Sequence, residues 1–191
     1  MNYKELIRIS LLLISSPAKA WEEIRFEDKR KVHTEFVYPY LGIIALVTFL
    51  SLIFSYGWGE PLSYQLAMKE CCSLLVSLFG GFYLASYAVH KYLVSVLGVE
   101  QDIVEAQQLT GYSLVVYFLL TLLLGIAPSF RVISWVIQIY TAYVVWEGLS
   151  ALASEIDDNK RATATVWITV FVLLSPRLIY FVFDKLLHIL N

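Results

Sequence analysis

The sequence predicts an all-α polytopic membrane protein, a bundle of five transmembrane helices behind an amphipathic amino-terminal helical segment. Hydrophobic residues make up 59% of the 191 residues and charged residues only 16%, whereas about 25% of a soluble domain is charged. The mean hydropathy is +0.68. Five apolar runs each approach the roughly 20 residues that span a hydrocarbon core. We therefore divide the chain into an amino-terminal segment, residues 1–35, and a membrane domain, residues 36–191.

The amino-terminal segment is predicted to lie on the membrane as a charged helical collar. Leu6, Ile9 and Leu13 share one face of a helix, which suits burial at the headgroup boundary. A second helix begins at Pro17, since proline at the first helical position loses no hydrogen bond. Trp21 lies on the apolar side of that helix, as an interfacial anchor does. A cleaved signal peptide is the disfavoured alternative, because its apolar core would hold only about six residues.

The five apolar runs are predicted to cross the membrane as helices. They cover residues 36–57, 71–91, 109–127, 131–153 and 164–183. Only three residues separate the third run from the fourth, so these two must form an antiparallel hairpin. The third helix is expected to begin before the bilayer, because Asp102 and Glu105 have the spacing of a capping box. A count of four or six would require a split or re-entrant run.

Basic residues predict the orientation and the partners. A cytoplasmic amino terminus leaves ten of the 14 Lys and Arg residues inside and three or four outside, which the positive-inside rule favours. The carboxy terminus is then external, and the membrane is the plasma or inner membrane if the chain is prokaryotic. The net charge of −2 supplies no basic field for nucleic acid. The expected partners are the lipid bilayer and, beyond it, a protein partner or a second copy of the chain.

Two patterns within the runs predict how the helices pack. The second run carries a ridge of small residues at four-residue spacing, which lets another helix approach closely unless it is a chance of composition. This ridge comprises Ser73, Ser77, Gly81 and Ala85. The third run carries hydroxyl groups on one side, which either bond carbonyls of the preceding turn or line a polar crevice. These hydroxyl residues are Thr110, Ser113, Tyr117 and Thr121.

Glu147 and Arg177 are the residues that are most costly to place in hydrocarbon, about 2.5–3.5 kcal/mol for a central charge on insertion scales. Such residues are candidates for a functional polar site. Glu147 shares a helical face with Tyr140 and Tyr143, and Arg177 follows Pro176, which removes one backbone donor. A direct pair must overcome a depth difference of about 10 Å. Separate contacts, a direct or water-linked pair, and a substrate site all remain open.

The sequence contains no recognisable catalytic or metal-binding constellation. The three histidines are far apart, the adjacent Cys71 and Cys72 lack a zinc or redox spacing, and no nucleotide-binding or hydrolase motif occurs. We therefore predict a protein that is not an enzyme and that has neither a cofactor nor a metal site. Two acidic clusters, residues 100–105 and 155–158, are interpreted as solvated loop ends, with a divalent cation or a basic partner as the alternative.

Two short motifs carry a family resemblance. Residues 16–24 read Ser-Pro-Ala-Lys-Ala-Trp-Glu-Glu-Ile, in which Pro17 precedes Trp21, and the third run opens with Gly111, Tyr112 and Ser113. Together with five spans and a cytosolic amino terminus, these motifs resemble the Yip family of Ypt/Rab-interacting proteins, in particular its prokaryotic branch. Eukaryotic members of that family act in membrane trafficking and organelle shape, partly as adaptors for small GTPases and for one another, so the resemblance implies a role in organising membranes or partner proteins. The acidic leucine-tyrosine-glycine-proline motif of eukaryotic relatives is absent, which argues against Rab binding.

The leading functional prediction is a non-catalytic multi-pass membrane protein that organises the membrane or partner proteins. It would use the amino-terminal segment and the small-residue ridge. The alternative is a small transporter or channel in which Glu147, Arg177 and the two tyrosines line a polar path. An intramembrane enzyme ranks third, because no nucleophile with a base beside it can be named.

Overall fold

The computed structural model describes residues 3–153 and 155–189, with side chains described through residue 186. These residues form helices and turns and no β-strand, so the predicted all-α fold class is confirmed. Two short helices come first, α1 (Tyr3–Ser15) and α2 (Pro17–Ile24). The helices that follow are α3 (Tyr38–Tyr56), α4 (Pro61–Ser95), α5 (Ile103–Ser113), α6 (Val115–Ile126), α7 (Arg131–Ile137), α8 (Tyr140–Leu152) and α9 (Asp158–Ile189).

Four stretches of the described chain are long and apolar enough to cross a membrane. They are Val32–Tyr56, Pro61–Ser95, Ile103–Ile126 and Asp158–Leu186. A fifth crossing is obtained when α7 and α8 are taken together as one span, although a bend of 43° separates them. The protein is thus polytopic, with four to five crossings. We call the end of the bundle at which α3 begins the proximal end, and the end at which α6 meets α7 the distal end.

The fourth predicted run, 131–153, is a broken helix rather than a straight one. The backbone N–H groups of Ile139, Thr141 and Ala142 donate to carbonyls three residues earlier instead of four, which tightens the helix at the junction of α7 and α8. The side chains of Ser134 in α7 and of Gln138, directly after it, are buried. The apolar side chains of α7 point outward, so this helix is polar toward the protein and apolar toward the hydrocarbon.

Some helices are longer than the predicted apolar runs, because polar residues at their ends are also helical. The helix α4 extends well beyond residues 71–91, because Pro61 starts it in the first helical position and its polar first turns need not lie in lipid. The capping box predicted for the third span is confirmed, since Asp102 and Glu105 make both reciprocal bonds at the start of α5. The helix α9 continues unbroken through Pro176.

The predicted small-residue ridge of α4 lies against α9. Ser77 Oγ donates a hydrogen bond of 2.9 Å to the carbonyl oxygen of Pro176. A Cβ atom added to Gly81 would lie 2.5 Å from Pro176 Cα, so only glycine admits the α9 backbone this closely. Ser73 and Ala85 are also buried. The ridge therefore holds the longest pair of helices in the bundle together by direct backbone approach.

Replacing Gly81 with alanine is expected to force α4 away from α9. The added methyl group meets backbone atoms, so we expect a loss of about 1–3 kcal/mol of folding free energy. Thermal unfolding of the purified protein in detergent measures it, at about 2–4 °C for each kcal/mol. Gly42→Ala is the matched control, because a Cβ atom there meets nothing within 4 Å. Equal unfolding midpoints for the two variants would contradict the close approach.

Candidate functional site

The amino-terminal segment is attached to the bundle through Trp21. This side chain is fully buried between α2 and α8, and its indole Nε1 donates a 2.9 Å hydrogen bond to the carbonyl oxygen of Val144. Gly148 lies one turn further along α8, and a Cβ atom there would come within 2.8 Å of the indole ring. Val144 and Gly148 thus provide the acceptor and the space that one tryptophan needs.

Burial of Trp21 corrects the prediction that it anchors the segment in the headgroups. The predicted apolar face of α1, formed by Leu6, Ile9 and Leu13, is likewise buried in the protein. A helix that lies on a membrane and a helix that covers another helix have the same apolar stripe, so the pattern alone predicts burial but not the covering partner. The small residue on α8, far away in sequence, decides the outcome.

Tyr112 lies directly beneath this contact. Its ring meets that of Trp21 edge-on, with centroids 5.9 Å apart, and that of Phe36 at 4.6 Å. Gly111 allows the approach, because a Cβ atom added to it would lie 2.5 Å from Cγ2 of Val32. The neighbouring Ser113 is fully buried, and its hydroxyl finds no partner among the described residues. The two sequence motifs are therefore parts of a single packed cluster.

Polar side chains fasten the segment at further points. Gln108 Nε2 donates to the carbonyl oxygen of Ile24 over 3.0 Å, and Lys29 pairs with Glu105 at the start of α5. Pro17 is buried at the first position of α2, whereas the side chain of the preceding serine makes no capping bond. On the outer face, Arg8 joins α1 to α2 by binding glutamates of both helices. The segment is thus a fixed part of the proximal end.

Three carboxylates surround a small cavity of about 20 Å³ beside Tyr112. They belong to Glu5, Glu27 and Glu35. A hydrogen bond from Arg8 lowers the pKa of Glu5. Partial burial raises the pKa of Glu27, because desolvation outweighs the attraction of nearby basic side chains. Among the described residues no group of His, Cys, Asp or Glu is arranged to hold a metal ion.

The structure places the predicted polar residues of the fourth span in separate surroundings. Glu147 is half-buried and makes no hydrogen bond or ion pair with a described residue. The Tyr140 hydroxyl donates to the carbonyl oxygen of Ile14 over 2.7 Å. Tyr143 is 45% exposed, and its ring lies 5.6 Å from that of Tyr140. Both tyrosines line an open apolar groove beside α1.

Arg177 lies elsewhere, toward the distal end. Its Nη2 donates to the side-chain oxygen of Gln138, and its guanidinium stacks on the Trp135 ring at 4.2 Å. Gln138 precedes Glu147 by nine residues, about 13 Å along a helix. The predicted candidates Glu147 and Arg177 therefore do not share one site. Arg177 instead faces a cavity of about 190 Å³ between α6, α7 and α9.

A comparison with known protein families shows the family to which the chain belongs. The model of the Yip1 domain matches residues 11–176, most of the chain. The chain belongs to the Yip1-domain family. No curated protein and no solved structure matches it. For this Yip1-domain protein the matched region runs from α1 to Pro176, so it includes Trp21, Tyr112 and the contact between α4 and α9.

Sequence reasoning missed the residues that receive Trp21 and Arg177. Gly148 lies in an apolar run in which the residues four positions away on either side, Val144 and Leu152, are large, so no ridge of small residues at four-residue spacing identified it as a contact site. Arg131, Ser134 and Gln138, by contrast, recur at three- and four-residue spacing in that run. This polar stripe is the signal that could have predicted a polar inner face for the fourth span.

Replacing Trp21 is expected to release the segment from the bundle. Trp21→Ala leaves a cavity against α8 and should cost about 3–5 kcal/mol, whereas Trp21→Phe loses the N–H bond, leaves a smaller cavity and should cost less than the alanine variant. Thermal unfolding and limited proteolysis within residues 1–31 measure the two effects. Trp58→Ala is the control, since Trp58 is 67% exposed. An equal response at positions 21 and 58 would contradict the docking.

Glu27→Gln is expected to stabilise the protein at neutral pH. A raised pKa means that the folded state holds the proton more tightly, so ionisation of Glu27 destabilises it as the pH rises above the ordinary value of 4.5. The unfolding midpoint of the variant should therefore exceed that of the wild type at pH 7, and the two should converge below pH 4.5. The exposed Glu22→Gln on α2 is the control. A stability gain that persists at acidic pH would contradict this explanation.

Proposed function

We propose that this Yip1-domain protein is a non-catalytic organiser of partner proteins in the membrane, with its docked amino-terminal segment as the binding surface. The observation that carries the proposal is that Trp21 fixes the segment while the opposite face of α2 stays exposed. A surface fixed in this way loses little conformational entropy when a partner binds. The proposal places the segment on the cytoplasmic side, as the bias of basic residues favours.

The exposed side chains of α2 and of the turn that follows it, residues 25–31, support a protein as the partner. Phe26 is 78% exposed, and the guanidinium of Arg25 lies 4.5 Å above its ring. Aromatic and arginine side chains are the types that most often dominate the energy of protein interfaces. Acidic and basic residues alternate around them, namely Lys19, Glu22, Glu23, Asp28, Arg30 and Lys31. A face of mixed charge suits a protein better than an anionic bilayer or a nucleic acid.

Family membership supports the same direction, because the Yip family is generally non-enzymatic and its members interact with proteins. The transporter alternative receives no comparable support. It requires Glu147, Arg177 and the tyrosines along one polar path, and their surroundings are separate. We therefore retain the organiser as the function that the geometry supports best.

Crosslinking in native membranes tests the proposal. A photoreactive benzoylphenylalanine is placed at Phe26 in the full chain and, as a matched control, at Trp58. Both positions are strongly exposed, 78% and 67%, but they lie at opposite ends of the bundle. We expect a discrete protein adduct, either another protein or a second copy of the chain, from position 26 alone.

Two outcomes of the crosslinking experiment would contradict the proposal. No protein adduct from position 26, or the same adducts from both positions, would overturn the proposal. An Arg25→Glu substitution, combined with the photoreactive group at position 26, tests whether the charge of Arg25 contributes to partner binding. Reversing that charge at the rim should reduce the yield of the adduct about two- to fivefold if partner binding depends on it.

A further inference from the structure

Two arginines converge on the distal cavity. The cavity of about 190 Å³ is lined from α7 by Arg131 and from α9 by Arg177, and its space corresponds to about six water molecules at roughly 30 Å³ each. Hydroxyl and amide groups complete the polar part of its wall. These belong to Tyr117, Thr121, Ser134 and Gln138. No carboxylate lines the cavity, so its two formal positive charges are not neutralised from within the wall.

The guanidinium groups retain unused hydrogen-bond donors. Arg177 uses one nitrogen for Gln138, while its flat face covers Trp135. The side chain of Arg131 makes no hydrogen bond or ion pair with a described residue. Each guanidinium has five N–H donors in a planar fork. Most of these donors therefore await an acceptor from outside the described chain.

The cost of placing two cations here indicates what the acceptor is. Arg177, inside the last span, is costly to leave unpaired in hydrocarbon, and the like charge of Arg131, which is exposed at the start of α7, adds to that cost. Asp184, the next carboxylate along α9, lies two helical turns beyond Arg177. An anion in the cavity would receive the free donors of both arginines and neutralise them. Arginine forks match phosphate oxygens bidentately.

We propose that this cavity binds a phosphate group, held by the guanidinium groups of Arg131 and Arg177. Arg131 is the first residue of α7, directly after the turn at the distal end, and so lies at headgroup depth. Gln138 lies seven residues further along the span, about 10 Å deeper. The cavity thus descends from the level of lipid phosphates into the hydrocarbon. An anionic lipid headgroup and a free phosphate compound share this chemistry.

The broken fourth span makes the site. Arg131 and Ser134 of α7, and Gln138 directly after it, line the cavity together with Arg177 of α9. Trp135 covers the outer side of the cavity and stacks on Arg177. An arginine that merely extended to the water interface would need none of these groups. The site is independent of the organiser role, because it lies at the end of the bundle opposite α2.

Lipid binding to the purified full chain tests the proposal. Native mass spectrometry in detergent measures the affinity for dioleoyl phosphatidylglycerol and for dioleoyl phosphatidylcholine, with and without millimolar inorganic phosphate. The variants are Arg131→Gln and Arg177→Gln, and Lys185→Gln is the matched loss of one exposed positive charge on α9. Arg131→Gln is the main test, because its side chain supports no described contact and its loss should not impair folding.

We expect Arg131→Gln and Arg177→Gln each to weaken phosphatidylglycerol binding about tenfold, and Lys185→Gln to change it by less than about twofold. Phosphatidylcholine, whose phosphate is already paired with choline, should bind more weakly than phosphatidylglycerol to the wild type. Insensitivity to inorganic phosphate supports the lipid as the source of the phosphate group, whereas displacement by it supports a soluble phosphate compound. Equal affinities for the wild type and Arg131→Gln would overturn the proposal.

Discussion

Within a hydrocarbon layer, a buried polar group is costly unless it finds a hydrogen-bond partner inside the protein, and this constraint acts first on the backbone and then on the side chains. Helices satisfy their own peptide groups, so what remains is the polarity of side chains. Several hydroxyls in the spans return to carbonyls of their own helix, as Thr121 does to Tyr117 and Ser86 to Phe82, whereas those of Thr110, Ser113 and Thr141 find no partner among the described residues. The few that reach across helices, such as Ser77 to Pro176, fix pairs of helices together.

The sequence predicted the features that depend on local composition. The all-α membrane fold, the capping box at Asp102 and the start of α2 at Pro17 all follow from short-range rules, and the structure has them. It could not predict the bend between α7 and α8, because no proline or glycine occupies the junction. There the tighter hydrogen bonding accompanies contacts that Gln138 and Arg177 make with each other, 39 residues apart.

The same distinction between local and long-range features applies to the candidate sites. Residues that the sequence grouped by helical face, such as the ridge on α4, also lie together in the structure, because one helix suffices to define a face. Contacts between different helices were not predicted where nothing in the sequence distinguished the partner residue from its neighbours. Trp21 was expected in the headgroups, since nothing marked Gly148 and the Val144 carbonyl as its acceptor site. Glu147 and Arg177 were considered together because both are charged, yet their helices hold them at different depths.

The bond between Trp21 and Val144 joins groups that are 123 residues apart in the chain. A ribosome adding about 5–20 residues per second produces the acceptor roughly 6–25 s after the indole. Throughout that interval the nascent chain presents an apolar stripe with no α8 to cover it. The helices α1 and α2 thus complete their packing only after α8 has been synthesised. Until then we expect the surface of the bilayer to cover that stripe, because an apolar helix face suits the interface between headgroups and acyl chains.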